Sequence, residues 1–333
     1  MRLSWIGEIV AVAALVAAPV VAAAAVAGAQ DAGSPRALGR GDYTALIRAE
    51  QEPSYASIPW LLFGLPREMH TGGNLRVLYE ATVAPPFFVS LGHAPLAVAV
   101  TPKIVIRQYA GGFYPVPPPS YMPRVTMYYW GRPYARRTRA DSIVYAFLRL
   151  SHHSNGQDTN YFASTNPPRV NYASGKFSTN FLELGAVQPM VHGGPIVGAQ
   201  ELSIEWHPPA WTRVEIRPIY ASLRVHLTSH VELLRPRLGP LEGAVLSLGY
   251  LGGPTTPNRR SVASRGILSY TIYSGVGQLG DFALFANYYT GEDYYNIRFD
   301  RNISTFKIGA LAGVRRLPAG DGTVQALPAM RDE

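Results

Sequence analysis

The chain has 333 residues, 30 Lys and Arg against 22 Asp and Glu, and a formal net charge of +8, yet only 16% of its residues are charged and none is cysteine. The missing cysteines exclude a disulfide scaffold, and the charge density falls short of the roughly one quarter usual in soluble domains. Lysine occurs only at 103, 176 and 307, so the basic balance is arginine. No aromatic–basic repeat or recognition helix accompanies it to indicate nucleic acid, and guanidinium groups also suit lipid phosphates.

Residues 1–29 open with Met1-Arg2 and run into an Ala- and Val-rich apolar stretch from Ile9 to Ala27, interrupted by Pro19. Small residues at Ala27-Gly28-Ala29 match a cleavage site and predict a secretory signal peptide; the run is also long enough for an uncleaved anchor. Residues 30–72 read as a poorly periodic N-terminal segment with one strong apolar cluster, Trp60-Leu61-Leu62-Phe63. From Asn74 apolar and polar residues alternate, predicting strands at 74–88, 95–109, 122–131, 141–154, 180–190, 211–226, 243–251, 264–275, 281–291 and 301–314. Gly92, the Gly111–Pro119 stretch, Gly193-Gly194-Pro195 and Gly252-Gly253-Pro254 punctuate them.

Segments of this length and pattern predict an all-β fold, a transmembrane antiparallel β-barrel of about 12 strands. It would cover 73–315 and be followed by a polar C-terminal tail, 316–333. Closure removes the edges that so large an open sheet would expose. A soluble sandwich is the alternative. Aromatic clusters at Tyr128-Tyr129-Trp130, Tyr288-Tyr289 and Tyr294-Tyr295 favour the barrel, because they fit interfacial girdles.

The hairpin 143–190 shows which face looks where. Side chains alternate along a strand, so Ile143, Tyr145, Phe147, Arg149, Ser151 and His153 share one face. Val144, Ala146, Leu148, Leu150, His152 and Ser154 share the other. Turning Arg149 to lipid near the midplane would cost about 2–4 kcal/mol, which sends the odd face to the lumen. In Asn180–Ala186 the same logic puts Glu183 in the lumen, placed to pair with Arg149, and turns Asn180 outward. An imidazole, a hydroxyl and a carboxamide therefore meet on the outer face, a set suited to nucleophilic acyl transfer. His153 reads as an ordinary surface residue. His70, His93, His192, His207, His226 and His230 show no metal-ligand spacing, and Glu292 and Asp293 read as a solvated acidic pair.

His152-His153-Ser154-Asn155-Gly156 at a strand end, with an asparagine opening the next strand, resembles the outer membrane phospholipase A family. These are calcium-dependent A1/A2 phospholipases of Gram-negative outer membranes. Tyr121-Met122-Pro123, a strand at Trp211–Pro218, and a Tyr288–Asn296 hairpin with a last strand near 303–313 extend the resemblance over roughly 75–313. It implies Ser154 as nucleophile, His152 as general base and Asn180 as the group orienting the imidazole. Gly156 would leave room for an ester near an oxyanion hole to which the Ser154 N–H contributes. Membrane phospholipid is the implied substrate and Ca²⁺ the implied cofactor. Gln157 occupies a position whose carbonyl would be a calcium ligand, and Ser164 and Ser174 are the candidate hydroxyl donors. Asn166 and Asn171 compete with Asn180, but no alternating strand follows either. The glutamine that bridges two subunits in the family corresponds to Pro102, so the implied homodimer lacks that bridge.

Two rivals remain. A lipid A deacylase is also an outer-membrane His-x-Ser esterase, but that resemblance predicts a glutamate as third member and eight strands. A porin-like or structural barrel with a decayed site is the non-enzymatic alternative; Arg149, Glu183, Tyr145 and Phe147 predict a blocked lumen instead.

Overall fold

The computed structural model describes residues 40–49, 51–59, 76–91, 94–110, 116–130, 145–165, 168–191, 196–232, 242–255, 265–275 and 282–313. The expected signal peptide, the Trp60–Phe63 cluster, His70, His93, Asn166, His192 and the polar tail lie outside these residues.

Among the described residues, helix α1 (Arg40–Ala49) is followed by twelve barrel strands. They are β1 (Ser54–Pro59), β2 (Arg76–Val83 and Phe87–Ser90), β3 (Leu96–Thr101 and Ile104–Ala110), β4 (Ser120–Tyr121 and Arg124–Tyr129), β5 (Tyr145–Ser154) and β6 (Ser178–Val191). The second half has β7 (Ile196–Trp206), β8 (Leu223–Glu232), β9 (Gly243–Gly252), β10 (Gly266–Gly275), β11 (Phe282–Glu292) and β12 (Asn302–Ala312). Each pairs antiparallel with its sequence neighbour, and β12 returns to β1 from Ser54↔Ala312 to Pro59↔Lys307, closing the barrel. The breaks within β2, β3 and β4 fall at Pro85-Pro86, Pro102 and Pro123, where a missing N–H removes a ladder bond. Pairing resumes on the far side: Arg76–Val83 pairs with the second half of β3 and Phe87–Ser90 with the first. No helix among the described residues is long and apolar enough to cross a membrane.

The barrel of about 12 strands is therefore present, but three segments differ from their sequence reading. Strand β1 lies within the stretch read as an N-terminal segment, so the barrel begins well before residue 73. Strand β7 was absent from the predicted set although Leu202, Ile204 and Trp206 are exposed outward and alternate with Glu201, Ser203 and Glu205; its acidic face suits a lumen. Residues 211–222 are not strand: a 3₁₀ turn at Pro209–Trp211 leads into turns closed by Ile216 N–H to Arg213 O and Tyr220 N–H to Ile216 O. Prolines 208, 209 and 218 deny that stretch a ladder.

The outward face is a band of exposed Leu, Val, Phe and Tyr, including Leu78, Val89, Val125, Leu150 and Leu284. The lumen is ionic. Arg107, fully buried, donates from Nε to Glu80 (2.5 Å) and from Nη1 to Asp293 (2.7 Å). Glu80 also accepts from Lys307 at 2.9 Å and from Tyr55 and Tyr294, each at 2.6 Å. Arg224 donates to Glu292 at 2.7 Å. Glu292 and Asp293 are thus buried ion-pair partners, correcting their reading as a solvated pair. The girdle expectation is also corrected in part. Tyr129 and Tyr288 are exposed, whereas Tyr128, Trp130, Tyr289 and Tyr295 are buried.

Apolar packing fills both ends. At one, Tyr43, Leu46 and Ile47 of α1 join the inward-facing Tyr128, Tyr145, Phe147, Val187 and Ala199. Tyr43 stacks on Trp130 at 5.9 Å, and the segment after the helix is tied down by Glu52 to Lys103 (2.7 Å) and Arg124 (3.3 Å). At the other end, Tyr161, Phe177, Ile216, Tyr220, Ile297 and Phe299 converge from three loops. Between the two ends the lumen keeps a cavity of ≈ 480 Å³ whose lining includes Glu52, Lys103, Arg149 and Lys307.

Truncating one member of a buried ion cluster strands the other charges, at about 3–5 kcal/mol. Arg107→Ala should lower barrel stability by that amount, read as a lower midpoint in denaturant, because Glu80 and Asp293 lose their shared guanidinium.

Candidate active site

Strands β5 and β6 pair in a register that sets Asn180 opposite His152, Glu183 opposite Arg149 and Ser178 opposite Ser154. Arg149 Nη1 donates to Glu183 at 2.6 Å, inside the barrel, as the parity argument requires. On the outer face His152 Nδ1 and Asn180 Oδ1 are 2.7 Å apart. An amide oxygen only accepts, so Nδ1 carries the hydrogen and Nε2 keeps its lone pair. Ser154 follows two residues on, on the same face. All three side chains are half-buried, above the exposed Leu148, Leu150 and Leu184.

The strand end is held from both sides. The His152 N–H donates to Pro123 O at 3.0 Å, so the proline of Tyr121-Met122-Pro123 lends its carbonyl where the β4 ladder is interrupted. Tyr121 pairs directly with Ser154. Beyond Ser154 the chain turns on Asn155, which is buried. Its Nδ2 donates to Gly175 O at 2.7 Å, and its Oδ1 accepts from the Phe177 N–H (3.0 Å) and the Gln157 N–H (3.3 Å). Gly156 has φ +66°, and a Cβ there would meet the Tyr121 ring at 3.4 Å. The left-handed backbone, more than the space, calls for glycine.

The remaining sequence candidates separate. Gln157 and Ser174 line one cavity of ≈ 600 Å³ with Asn155, Gly156, Tyr121 and the Val116–Pro119 wall. Ser164 does not line it; it sits opposite Arg169 on an outer hairpin formed by Phe162–Thr165 and Pro168–Val170. Asn171 bonds Ser174 and the Asn160 carbonyl and has no part in the histidine contact. Among the described residues no group of three His, Cys, Asp or Glu could hold a metal. The cavity offers neutral oxygens, the ligand type a hard cation such as calcium takes, and of the three proposed donors two reach it.

Sequence reasoning missed the layer behind the site. His153, read as a surface residue, is buried and packs edge-on against Phe177 at 4.7 Å. His207, read as an ordinary polar residue, is 1% exposed and wedged between Phe181 and Tyr220 at 4.6 and 4.9 Å. Burial holds its imidazole below the usual histidine range although Glu205 pulls the other way. Nearby, a hydrogen bond from Arg213 keeps the Glu215 carboxyl below its ordinary value. The alternation of β7 was the signal that could have placed Glu205 and His207.

Asn155→Ala would leave the buried Phe177 N–H and Gly175 O unpaired, worth about 1–3 kcal/mol. Exchange of the Phe177 amide should accelerate about 5- to 150-fold, in step with that energy.

No family model matches the chain, and no curated protein matches it. Solved structures do. An active-site mutant of the outer membrane phospholipase A from Escherichia coli, with an asparagine replaced by alanine, is 11% identical over 83% of this chain and 98% of its own, with a TM-score of 0.50. Another structure of that protein is 12% identical over 79% and 91%, with a TM-score of 0.48. A calcium-bound dimer of the Salmonella typhi outer membrane phospholipase is 12% identical over 79% and 90%, also at 0.48. In fold, this chain is similar to the outer membrane phospholipase A barrel.

Proposed function

We propose that the chain is a phospholipase A1/A2-like acyl hydrolase of a Gram-negative outer membrane, cleaving phospholipid esters on the outside of its barrel. The 2.7 Å contact between His152 and Asn180, on the face that carries Ser154, is the observation that supports it most. The Escherichia coli neighbour's active site also includes an asparagine, by its own description.

Ser154 Oγ attacks the ester carbonyl carbon while His152 Nε2 takes its proton. Asn180 holds the imidazole in the tautomer that leaves Nε2 free, as a neutral amide does in Cys-His-Asn enzymes. As the tetrahedral intermediate collapses, His152 returns the proton to the leaving alkoxide and a lysophospholipid departs. Water then attacks the acyl-serine with the same base assisting, and a fatty acid is released. The turn supports an oxyanion contact at Gly156. The Asn155 and Gln157 amides are both bonded, and the Gly156 N–H would serve a developing oxyanion. The apolar stripe formed by Leu148, Leu150, Leu182 and Leu184 gives the acyl chains a surface leading to the site.

Gln157 and Ser174 would hold calcium, which when bound supplies positive charge beside the oxyanion; Ser164 is set apart. A homodimer of this chain would form without a bridging glutamine, because residue 102 is proline. The amide third member and the twelve strands weigh against a lipid A deacylase, and the apolar clusters at both lumen ends weigh against a porin.

With refolded barrel and dispersed phospholipid, Ser154→Ala should reduce hydrolysis by about 10³-fold or more without loss of folded barrel; an unchanged rate removes Ser154 from the reaction. Chelation of calcium should suppress the wild-type rate, and added Ca²⁺ should restore it. Full activity in excess chelator would drop the metal from this reading.

A further inference from the structure

Asn180 stands where its strand is half-supported. The β6–β7 ladder begins only at Leu182↔Trp206, so residues 178–181 are paired with β5 on one side and have no β7 partner on the other. A single isolated bridge, Thr179↔Thr212, and one long bond from the Arg213 N–H to Ser178 O (3.4 Å) stand in for the missing strand.

Thr179 points inward and is fully buried, next in the chain to Asn180. Its Oγ1 lies 3.1 Å from His207 Nδ1 and 3.0 Å from Thr212 Oγ1. His207 Nε2 bonds Glu205, which lies 3.1 Å from Arg224 Nε, and Arg224 bonds Glu292 at 2.7 Å. The Thr212 hydroxyl lies between Thr179 Oγ1 and Pro208 O (3.2 Å), and with the Thr179 hydrogen given to His207 it is Thr212 that donates to Thr179. With Glu205 accepting at Nε2, His207 Nδ1 is the acceptor and the Thr179 hydroxyl the donor. A neutral His207, as its burial favours, keeps that direction.

We propose that Thr179 is a positioning residue. Through His207 and Glu205 it braces the free edge of β6 against the lumenal ion network, and so aims the Asn180 carboxamide at His152. The role rests on the hydrolase reading above. A bare strand end would let the amide swing, and a shift of about 1 Å in such a group can cost up to roughly a hundredfold in rate. Thr179 touches neither substrate nor imidazole; it acts through the backbone of the next residue.

The test is steady-state hydrolysis of phosphatidylcholine dispersed in detergent by the full-length refolded barrel, comparing wild type with Thr179→Val, Thr179→Ser and Ser154→Ala. Valine keeps the volume and removes the hydroxyl; serine keeps the hydroxyl. Thr179→Val is expected to lose about 10- to 100-fold in kcat with KM within about twofold, and Thr179→Ser to retain near-wild-type kcat. If Thr179→Val does not refold, His207→Gln is read instead, with the same expected loss in kcat. A kcat within twofold of wild type in the refolded variant, with Ser154→Ala inactive, overturns the positioning role alone. Equal losses in the valine and serine variants also overturn it, since they mark a packing defect. No hydrolysis by wild-type protein overturns the hydrolase reading and this role with it.

Discussion

Arg149 and Glu183 face each other across β5 and β6 inside the barrel, 2.6 Å apart, and the register they hold decides where every other side chain of the hairpin points. A slip of one residue in β5 would turn Arg149 to lipid and the Leu148–Leu150 stripe to the lumen. The arginine alone would cost about 2–4 kcal/mol near the midplane. The same slip would carry His152 inward and away from Asn180. A slip of two would keep the faces but break the Arg149–Glu183 pair and set His152 against a different neighbour. The ion pair in the lumen thus specifies the outer-face contact from the other side of the sheet.

Stability and chemistry are divided by the sheet. Inside, each carboxylate of the core network has a cationic partner: Glu80 has Arg107 and Lys307, Asp293 has Arg107, Glu183 has Arg149, and Glu205 and Glu292 share Arg224. Such clusters specify geometry more than they add net stability, and that suits a sheet whose register must not drift. The two lumen ends contribute the apolar packing that the ion-paired middle lacks, through α1 at one and the loop aromatics at the other. The candidate site hangs from this frame on the outside, at the end where three loops pack over Phe177.

The closed sheet and the outward set of His152, Ser154 and Asn180 were legible because period-two alternation and one costly arginine leave few arrangements open. Reading failed where the lumen departs from ordinary surface logic. Strand β7 was not read at all, although an enclosed polar lumen accepts an acid such as Glu205, which pairs with Arg224. Glu292 and Asp293 looked solvated because their partners, Arg224 and Arg107, are 68 and 186 residues away in the chain. The Trp211–Pro218 segment alternates like a strand, but its flanking prolines could not sustain a ladder. Ser164 matched by residue type, and only the fold of the outer hairpin shows that it stands apart from Gln157 and Ser174.

The choice of an amide at 180 follows from the same sidedness. Leu148, Leu150, Leu182 and Leu184 lie on the lipid side of both strands with it, and the Arg149 guanidinium points into the barrel, away from that face. A carboxylate there would be desolvated without a partner, at a cost of several kcal/mol, and would drift toward its neutral acid, which donates where the histidine needs an acceptor. Asparagine presents an acceptor oxygen at every pH. It stabilises an imidazolium less than a carboxylate would, so more of the catalytic demand falls on how well the amide is aimed. On the proposed hydrolase reading, that demand falls on Thr179, the amide's neighbour in the chain, bonded to His207 and Thr212.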